Sequence, residues 1–423
     1  MSVESVVIIG GGIAGYSCAR ELRNRDFTGT ITLIDPEGYP YDRPPLSKEL
    51  LTGEFTTDDA LLAPASWYAD HDITVVTGLA ERIDPASAVV VLESGEEIAG
   101  DAVVIATGGH ARTLPIPGGN DPDLMVLRTH ADAEKLRSAL RAGQRIAIIG
   151  AGLIGAEVAS TAAKNGCEVT LIDPAPVPLV PAVGPEIAEV LHAMHADAGI
   201  TTLTAVPGSI TREGEEWVIE LEAADGAGAG HTPGGETDGA TTHPEQIRAD
   251  AVLVAVGIDP YSYLAASAEL DQEGGILVDA GGRTTHPQIW AIGDVARERH
   301  PDGALARRHE HWESAANEGV AAAASILGQE LPQFGSSWFW SDRHGVHVEG
   351  IGEMSAPGTT VVREKDGRPQ MAFRLAADGT MVGAVAIDGG MAVRAARRII
   401  DRGKIVDAEA LRDPTIDLKK LAR

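Results

Sequence analysis

At 423 residues the chain is long enough for two to four domains and a sizeable core, and its 44% hydrophobic content is that of an ordinary globular protein. With 34 basic against 62 acidic residues the net charge is −28, which disfavours nonspecific binding to nucleic acid or to an anionic membrane. No apolar run approaches the ~18 residues of a spanning helix, and no basic stretch followed by a long apolar one opens the chain as a secretory leader would, so a cytoplasmic location is expected.

Val6–Ile9 reads as a strand, and Tyr16–Arg25 as a helix. Between them Gly10, Gly12 and Gly15 fit G-x-G-x-x-G in the strand-to-helix context that motif requires. The first glycine permits the tight turn, the second lets a pyrophosphate approach the backbone, and the third packs helix on strand; Ile13 and Ala14 lie within this loop, ahead of the helix whose N-terminus favours that charge. A second strand, Thr30–Ile34, ends at Asp35, where a carboxylate can accept hydrogen bonds from a ribose. A proline-rich loop follows, Pro36 to Lys48, in which Arg43 and Lys48 are cations suited to a phosphate or a site beside a bound ring. Ile73–Thr77, Ala88–Leu92 and Asp101–Thr107 are the next strands. The last runs through Ala106 and Thr107 into Gly108, letting backbone approach a ligand.

The pattern then repeats. Arg145–Ile149 is a strand, Gly150, Gly152 and Gly155 carry the same spacing around Leu153 and Ile154, a helix runs to about Lys164, and Glu168–Ile172 ends at Asp173. Two such Rossmann units in one chain imply electron transfer between two dinucleotides, most simply a nicotinamide and a flavin. Asp173, followed by Pro174-Ala175-Pro176-Val177 with no arginine, suits a free 2′-hydroxyl and predicts NADH over NADPH. Glu222 to Gln246 is rich in Gly and poor in large apolar residues, and reads as a surface loop; its His231 and His243 are read as solvated, and no metal site is expected. Ala251–Val256 resumes a buried strand ending at Gly257. Gln288–Val295 contains a strand that ends at Gly293-Asp294, placing a carboxylate at a helix entrance. Arg307 to Trp312, which includes His311, lies on or near a helix extending toward Leu327, and Trp312 is a candidate for covering a cofactor edge or for core packing. Beyond Pro332 come an aromatic cluster, Trp338-Phe339-Trp340-Ser341-Asp342, short strands at Val346–Ile351, Thr359–Arg363, Met371–Ala376 and Met381–Ile387, and helices at Ala392–Asp401 and Asp407–Leu411: an α+β domain. The two cysteines, Cys18 and Cys167, form no C-x-x-C and read as structural thiols.

Six blocks together resemble the FAD- and NADH-dependent ferredoxin and rubredoxin reductases that serve oxygenases: Gly10–Gly15, Tyr41–Lys48, Ala106–Gly108, Gly150–Glu157, Ala291–Val295 and Trp338–Asp342. The resemblance implies an α/β fold of glutathione-reductase type. An FAD domain would comprise residues 1–114 and 249–325, an NADH domain 115–248, and a C-terminal α+β domain 326–423. It implies FAD on Gly10–Gly15, with Asp35 or Glu37 on the adenosine ribose, Arg43 and Lys48 near the cofactor, Lys48 beside the isoalloxazine, and Asp294 on the ribityl–phosphate region. His311, Trp312, Trp340 and Gly257 are further candidate contacts. NADH would lie on Gly150–Gly155, with Glu157 facing the nicotinamide and pairing with Lys48; Lys48 and Glu157 are the implied catalytic residues. Relatives carry an arginine after the second acid, where this chain has Pro181-Ala182. The implied partner is a ferredoxin or rubredoxin, and the implied state a monomer or homodimer. Arg307, Arg308, Arg394, Arg397, Arg398 and Arg402 are candidate contributors to a basic docking face. Two rivals stay open: direct reduction of a quinone-like small molecule, and a redox or binding flavoprotein of apoptosis-inducing-factor type.

Overall fold

A computed structural model describes residues 3–224, 244–308 and 310–422. His231, His243 and the middle of the Gly-rich stretch lie outside the described residues. The chain divides into two compact units.

The first comprises Met1–Pro45, Phe55–His110 and Ile258–Ser337. Its core is a parallel five-stranded sheet in the order Ile289–Ala291, Ala102–Ile105, Ser5–Ile9, Thr30–Asp35, Ile73–Thr77. Val6, Val7, Ile8 and Ile9 are all buried, as a strand covered on both faces must be. The Ile13–Asn24 helix buries a stripe of Ala14, Gly15, Cys18, Ala19 and Leu22. Those small residues admit the Ala-rich Trp312–Ile326 helix at close range: a Cβ on Gly319 would lie 2.4 Å from the Ala14 carbonyl oxygen.

The second unit comprises Leu46–Glu54, Ala111–Gly257 and Trp338–Arg423. Its first sheet has six strands, in the order Gln246–Ala249, Glu216–Ala223, Thr201–Glu213, Glu168–Asp173, Arg145–Ile149, Ala251–Val254. The last four of these pair in parallel, and the first three are antiparallel neighbours. The C-terminal segment forms an antiparallel sheet in the order Trp338–Arg343, Val346–Gly352, Met381–Ile387, Arg368–Leu375, Thr359–Lys365. The Gly390–Ile400 helix lays Val393, Ala395, Ala396 and Ile399 into this sheet's core.

Several boundaries differ from expectation. Ala251–Val254 pairs with Arg145–Ile149, so the chain returns to the first unit at Ile258 rather than at residue 249. Leu46–Glu54, which carries Lys48, groups with the second unit instead of the first. The aromatic cluster is a strand whose alternation buries Phe339, Ser341 and Arg343. No described helix is long and apolar enough to cross a membrane.

Candidate functional site

In the first unit the C-terminal ends of the parallel strands bring the glycine loop together with three other segments. A Cβ on Gly10 (φ +112°) would lie 2.2 Å from the Ala106 carbonyl oxygen, so only glycine lets the loop close on Ala106-Thr107-Gly108. Thr107 Oγ1 in turn donates to the Tyr261 carbonyl at 2.8 Å. Gly293, beyond the Ile289–Ala291 strand, packs against Ala14, which sets Asp294 beside the start of the first helix. Above Gly12 the space is open: the nearest atom to a Cβ there is Arg43 Nε, at 3.9 Å. Among the described residues no side chain caps this helix and no acid lies in its first turn. It therefore offers unscreened N–H groups, a positive dipole end and a guanidinium to an anion.

The second unit repeats the construction. A Cβ on Gly150 would lie 2.4 Å from the Ala255 carbonyl oxygen, one on Gly155 1.9 Å from the Gly150 carbonyl oxygen, and one on Gly152 would meet nothing within 4 Å. The Leu153–Lys164 helix is likewise uncapped, with no acid in its first turn. Gly257 holds the neighbouring turn, its carbonyl accepting from Arg112 N at 3.0 Å. Ile154 is 41% exposed, an apolar side chain left at the mouth of the loop.

The two strand-end acids are both engaged by backbone donors of their own loops. Asp35 Oδ2 accepts from Gly11 N at 2.7 Å and Oδ1 from Glu37 N at 2.8 Å. Asp173 Oδ2 accepts from Ala151 N and Oδ1 from Ala175 N, at 2.8 and 2.9 Å. Each carboxylate thus ties its own glycine loop to the strand end. Burial raises the Asp35 carboxyl above its usual range, against the two backbone donors and Arg43, which lower it. Glu37 is exposed, its Oε2 accepting from Tyr41 at 2.8 Å, so of the two acids it is the one presented outward.

The described structure also assembles a polar cluster within the second unit. Glu157, on the helix behind Gly155, is 4% exposed. Its Oε2 accepts from Lys48 Nζ at 2.8 Å and from Ser47 Oγ at 2.5 Å, and its Oε1 from Ser341 Oγ at 2.6 Å and Asp342 N at 3.3 Å. Arg343 Nη2 donates to Ser341 Oγ at 2.7 Å. Arg343 is 3% exposed; burial lowers its pKa while Glu157 and Asp342 raise it. Behind it His344 and His195 share a 3.0 Å hydrogen bond. Burial, with His344, Arg343 and His192 nearby, holds His195 down to about 3, and burial also lowers His344, so both rings stay neutral and Arg343 is the fixed cation here.

Ser47, Ser341 and Arg343 were not singled out by sequence reasoning, because they reach Glu157 from segments far away in the chain. The available signal was polar residues at alternate positions of a strand's buried face. Of the other candidates, Trp312 Nε1 donates to Asp42 at 2.7 Å, His311 precedes it as the helix N-cap, and Trp340 stacks on Trp338 with centroids 4.7 Å apart. Arg308 Nη1 donates to the Asp294 carbonyl at 2.6 Å and so serves that turn, whereas Arg394 and Arg398 are exposed. Cys18 and Cys167 are both free thiols.

Residues 4–319 match the family described as pyridine nucleotide-disulphide oxidoreductase. The chain belongs to this family. Its residues 338–422 match the reductase C-terminal family. This oxidoreductase is 36% identical over 426 aligned residues to the anthranilate 1,2-dioxygenase system ferredoxin–NAD(+) reductase component of Burkholderia cepacia, with 99% of both chains covered. Among solved structures it resembles putidaredoxin reductase in a covalent complex with putidaredoxin, with TM-score 0.87, 27% identity and 100% and 98% of the two chains covered. It also resembles the ferredoxin reductase for the CYP199A2 system of Rhodopseudomonas palustris, with TM-score 0.89, 31% identity and coverage of 99% and 100%. Sequence and fold both set this oxidoreductase among the ferredoxin reductases.

Proposed function

We propose that this chain is the FAD-containing, NADH-dependent reductase of a ferredoxin or rubredoxin that feeds an oxygenase. The observation that carries the reading is the repeated cradle: in each unit an open glycine stands at an uncapped helix N-terminus, between strand ends. Each accepts a pyrophosphate, and two such groups in one chain fit a resident dinucleotide and a reducing one. FAD is assigned to the Gly10–Gly15 loop, with Arg43 neutralising the diphosphate, Glu37 toward the adenosine ribose and Asp294 toward the ribityl side. NADH is assigned to Gly150–Gly155, where the negative charge of Asp173 opposes a 2′-phosphate even while its oxygens hold the loop. When bound, FAD supplies the conversion between a two-electron donor and a one-electron carrier.

The residues of the chain contribute position and charge. Lys48, held by Glu157, is the cation assigned to the hydride-transfer site, where an ammonium stabilises negative charge gained on reduction. Glu157 keeps that ammonium in one place. An acidic carrier would meet net repulsion from a chain of charge −28, so docking requires a local basic face, for which the exposed Arg394 and Arg398 are candidates. A cytoplasmic location belongs to the same reading.

The test is turnover. NADH should reduce ferricyanide directly and cytochrome c only when a ferredoxin or rubredoxin is added, and kcat/KM for NADH should exceed that for NADPH. Dye reduction with no carrier in a broad ferredoxin and rubredoxin panel would transfer the assignment to a small-molecule acceptor. Equal or better use of NADPH would overturn the cofactor assignment.

A further inference from the structure

Glu157 is a buried carboxylate between two cations. Lys48 reaches Oε2 directly, whereas Arg343 reaches Oε1 through the Ser341 hydroxyl. The direction of the Ser341 proton is fixed by chemistry. A guanidinium only donates, so Ser341 Oγ must accept from Arg343 and its single O–H must point at Glu157. Ser341 and Arg343 stand two apart on the buried face of the Trp338–Arg343 strand, so both address the helix that carries Glu157. The strand end is pinned to the same helix by His344 N, which donates to Ser160 Oγ at 2.8 Å. Asp342 N adds a second, longer donor to Oε1.

We propose that Ser341, oriented by Arg343, is a positioning residue for the Lys48–Glu157 pair: it occupies Oε1 of Glu157 so that Oε2 faces Lys48 and the ammonium stays engaged. The C-terminal segment thereby helps set the group assigned above to hydride transfer. That consequence rests on the functional reading already given, but the positioning itself does not.

The geometry predicts how the pair responds. Without the Ser341 hydroxyl, Oε1 keeps, among the described residues, only the 3.3 Å backbone donor, so the Glu157 carboxylate is held chiefly at Oε2, by Ser47 and Lys48, and turns more freely about that end. The Lys48–Glu157 contact is then broken for part of the time, and the Lys48 amine becomes more reactive than in the wild type. Threonine retains the hydroxyl and should restore the arrangement. Arg343→Met leaves the hydroxyl but frees its proton to point elsewhere, and should act in the same direction as Ser341→Ala.

The experiment is amine labelling of Lys48 in the FAD-loaded chain without NADH, read by peptide mass spectrometry. The variants are Ser341→Ala, Ser341→Thr and Arg343→Met, with Lys164 on the same helix as the internal control. Labelling of Lys48 should rise about tenfold in Ser341→Ala, the low end of one charge-assisted hydrogen bond, and stay near wild type in Ser341→Thr. Unchanged Lys48 labelling in Ser341→Ala, or a rise shared equally by Lys164, overturns the proposal. Stopped-flow reduction by NADH separates the two claims. Unchanged reduction in Glu157→Gln defeats the assignment of the pair to hydride transfer, whatever the labelling shows.

Discussion

The two kinds of glycine in the second loop make opposite predictions. At Gly152 the backbone is at φ −66° and ψ −165°, and a Cβ meets nothing within 4 Å. Alanine fits there without strain. Its lower chain entropy when unfolded stabilises by about 0.4–1 kcal/mol, and its poorer N-cap preference costs about the same, so the net change in stability is near zero. A methyl at that point nevertheless occupies the approach to the helix N-terminus. Loss of one N–H contact to a phosphate is worth about 1.5–3 kcal/mol, a tenfold to hundredfold rise in KM for NADH. At Gly155 the same methyl would lie 1.9 Å from the Gly150 carbonyl oxygen, so helix and strand must separate. Overpacking of that severity costs about 3 kcal/mol or more. Gly152→Ala should therefore melt with the wild type in calorimetry but show weakened NADH use, whereas Gly155→Ala should unfold at a clearly lower temperature. A stable Gly152→Ala with wild-type KM would refute the cradle argument, as would a Gly155→Ala of undiminished Tm.

Two further outcomes follow from titratable groups whose ordinary values the fold shifts. Cys18 is fully buried and its thiol is pushed up to about 12 by burial and by Glu21. A thiol reagent should leave Cys18 unmodified in the native chain and reach it only after denaturation; modification of both thiols in native protein would contradict the packing. Burial, joined by Asp294 and Glu298, raises the Glu318 carboxyl to about 8 against the opposing hydrogen bond from Gly293 N. The folded chain thus keeps a proton that the unfolded chain releases near the ordinary glutamate value. Its contribution to stability is full below that value and is lost as the pH rises toward 8. Glu318→Gln should flatten this decline in Tm, and an identical slope in the variant would count against it.

What could be read from the sequence was local. Each glycine loop, its strands and its terminal acid are contiguous, and the Arg145–Ile149 and Met381–Ile387 strands fall at the predicted residues. The Pro185–Asp197 helix and the long Thr201–Glu213 strand were not predicted. In the strand Pro207-Gly208 resembles a turn, but it forms a bulge, with the register shifting between Pro207 and Ser209. The acids illustrate a subtler limit. Position and chemistry suit Asp35 and Asp173 to a ribose, and nothing in the sequence shows that each also ties its glycine loop to the strand end. The Glu157 cluster was the least legible part, since its partners Ser47 and Lys48, and Ser341 and Asp342, come from two segments that both lie far from Glu157 in the chain.

The assignment of Leu46–Glu54 to the second unit has a consequence for synthesis. As the chain leaves the ribosome, that short piece emerges early and the Trp338–Arg343 strand late, yet both donate to the same carboxylate. The first unit also recruits residues from Ile258–Ser337. Neither unit can finish folding while its early pieces wait for late ones, so the nascent chain must carry incomplete apolar surface for most of its translation. Rescue by chaperones, and yield that falls when elongation is slowed before residue 338, are the cellular signatures such interleaving leaves.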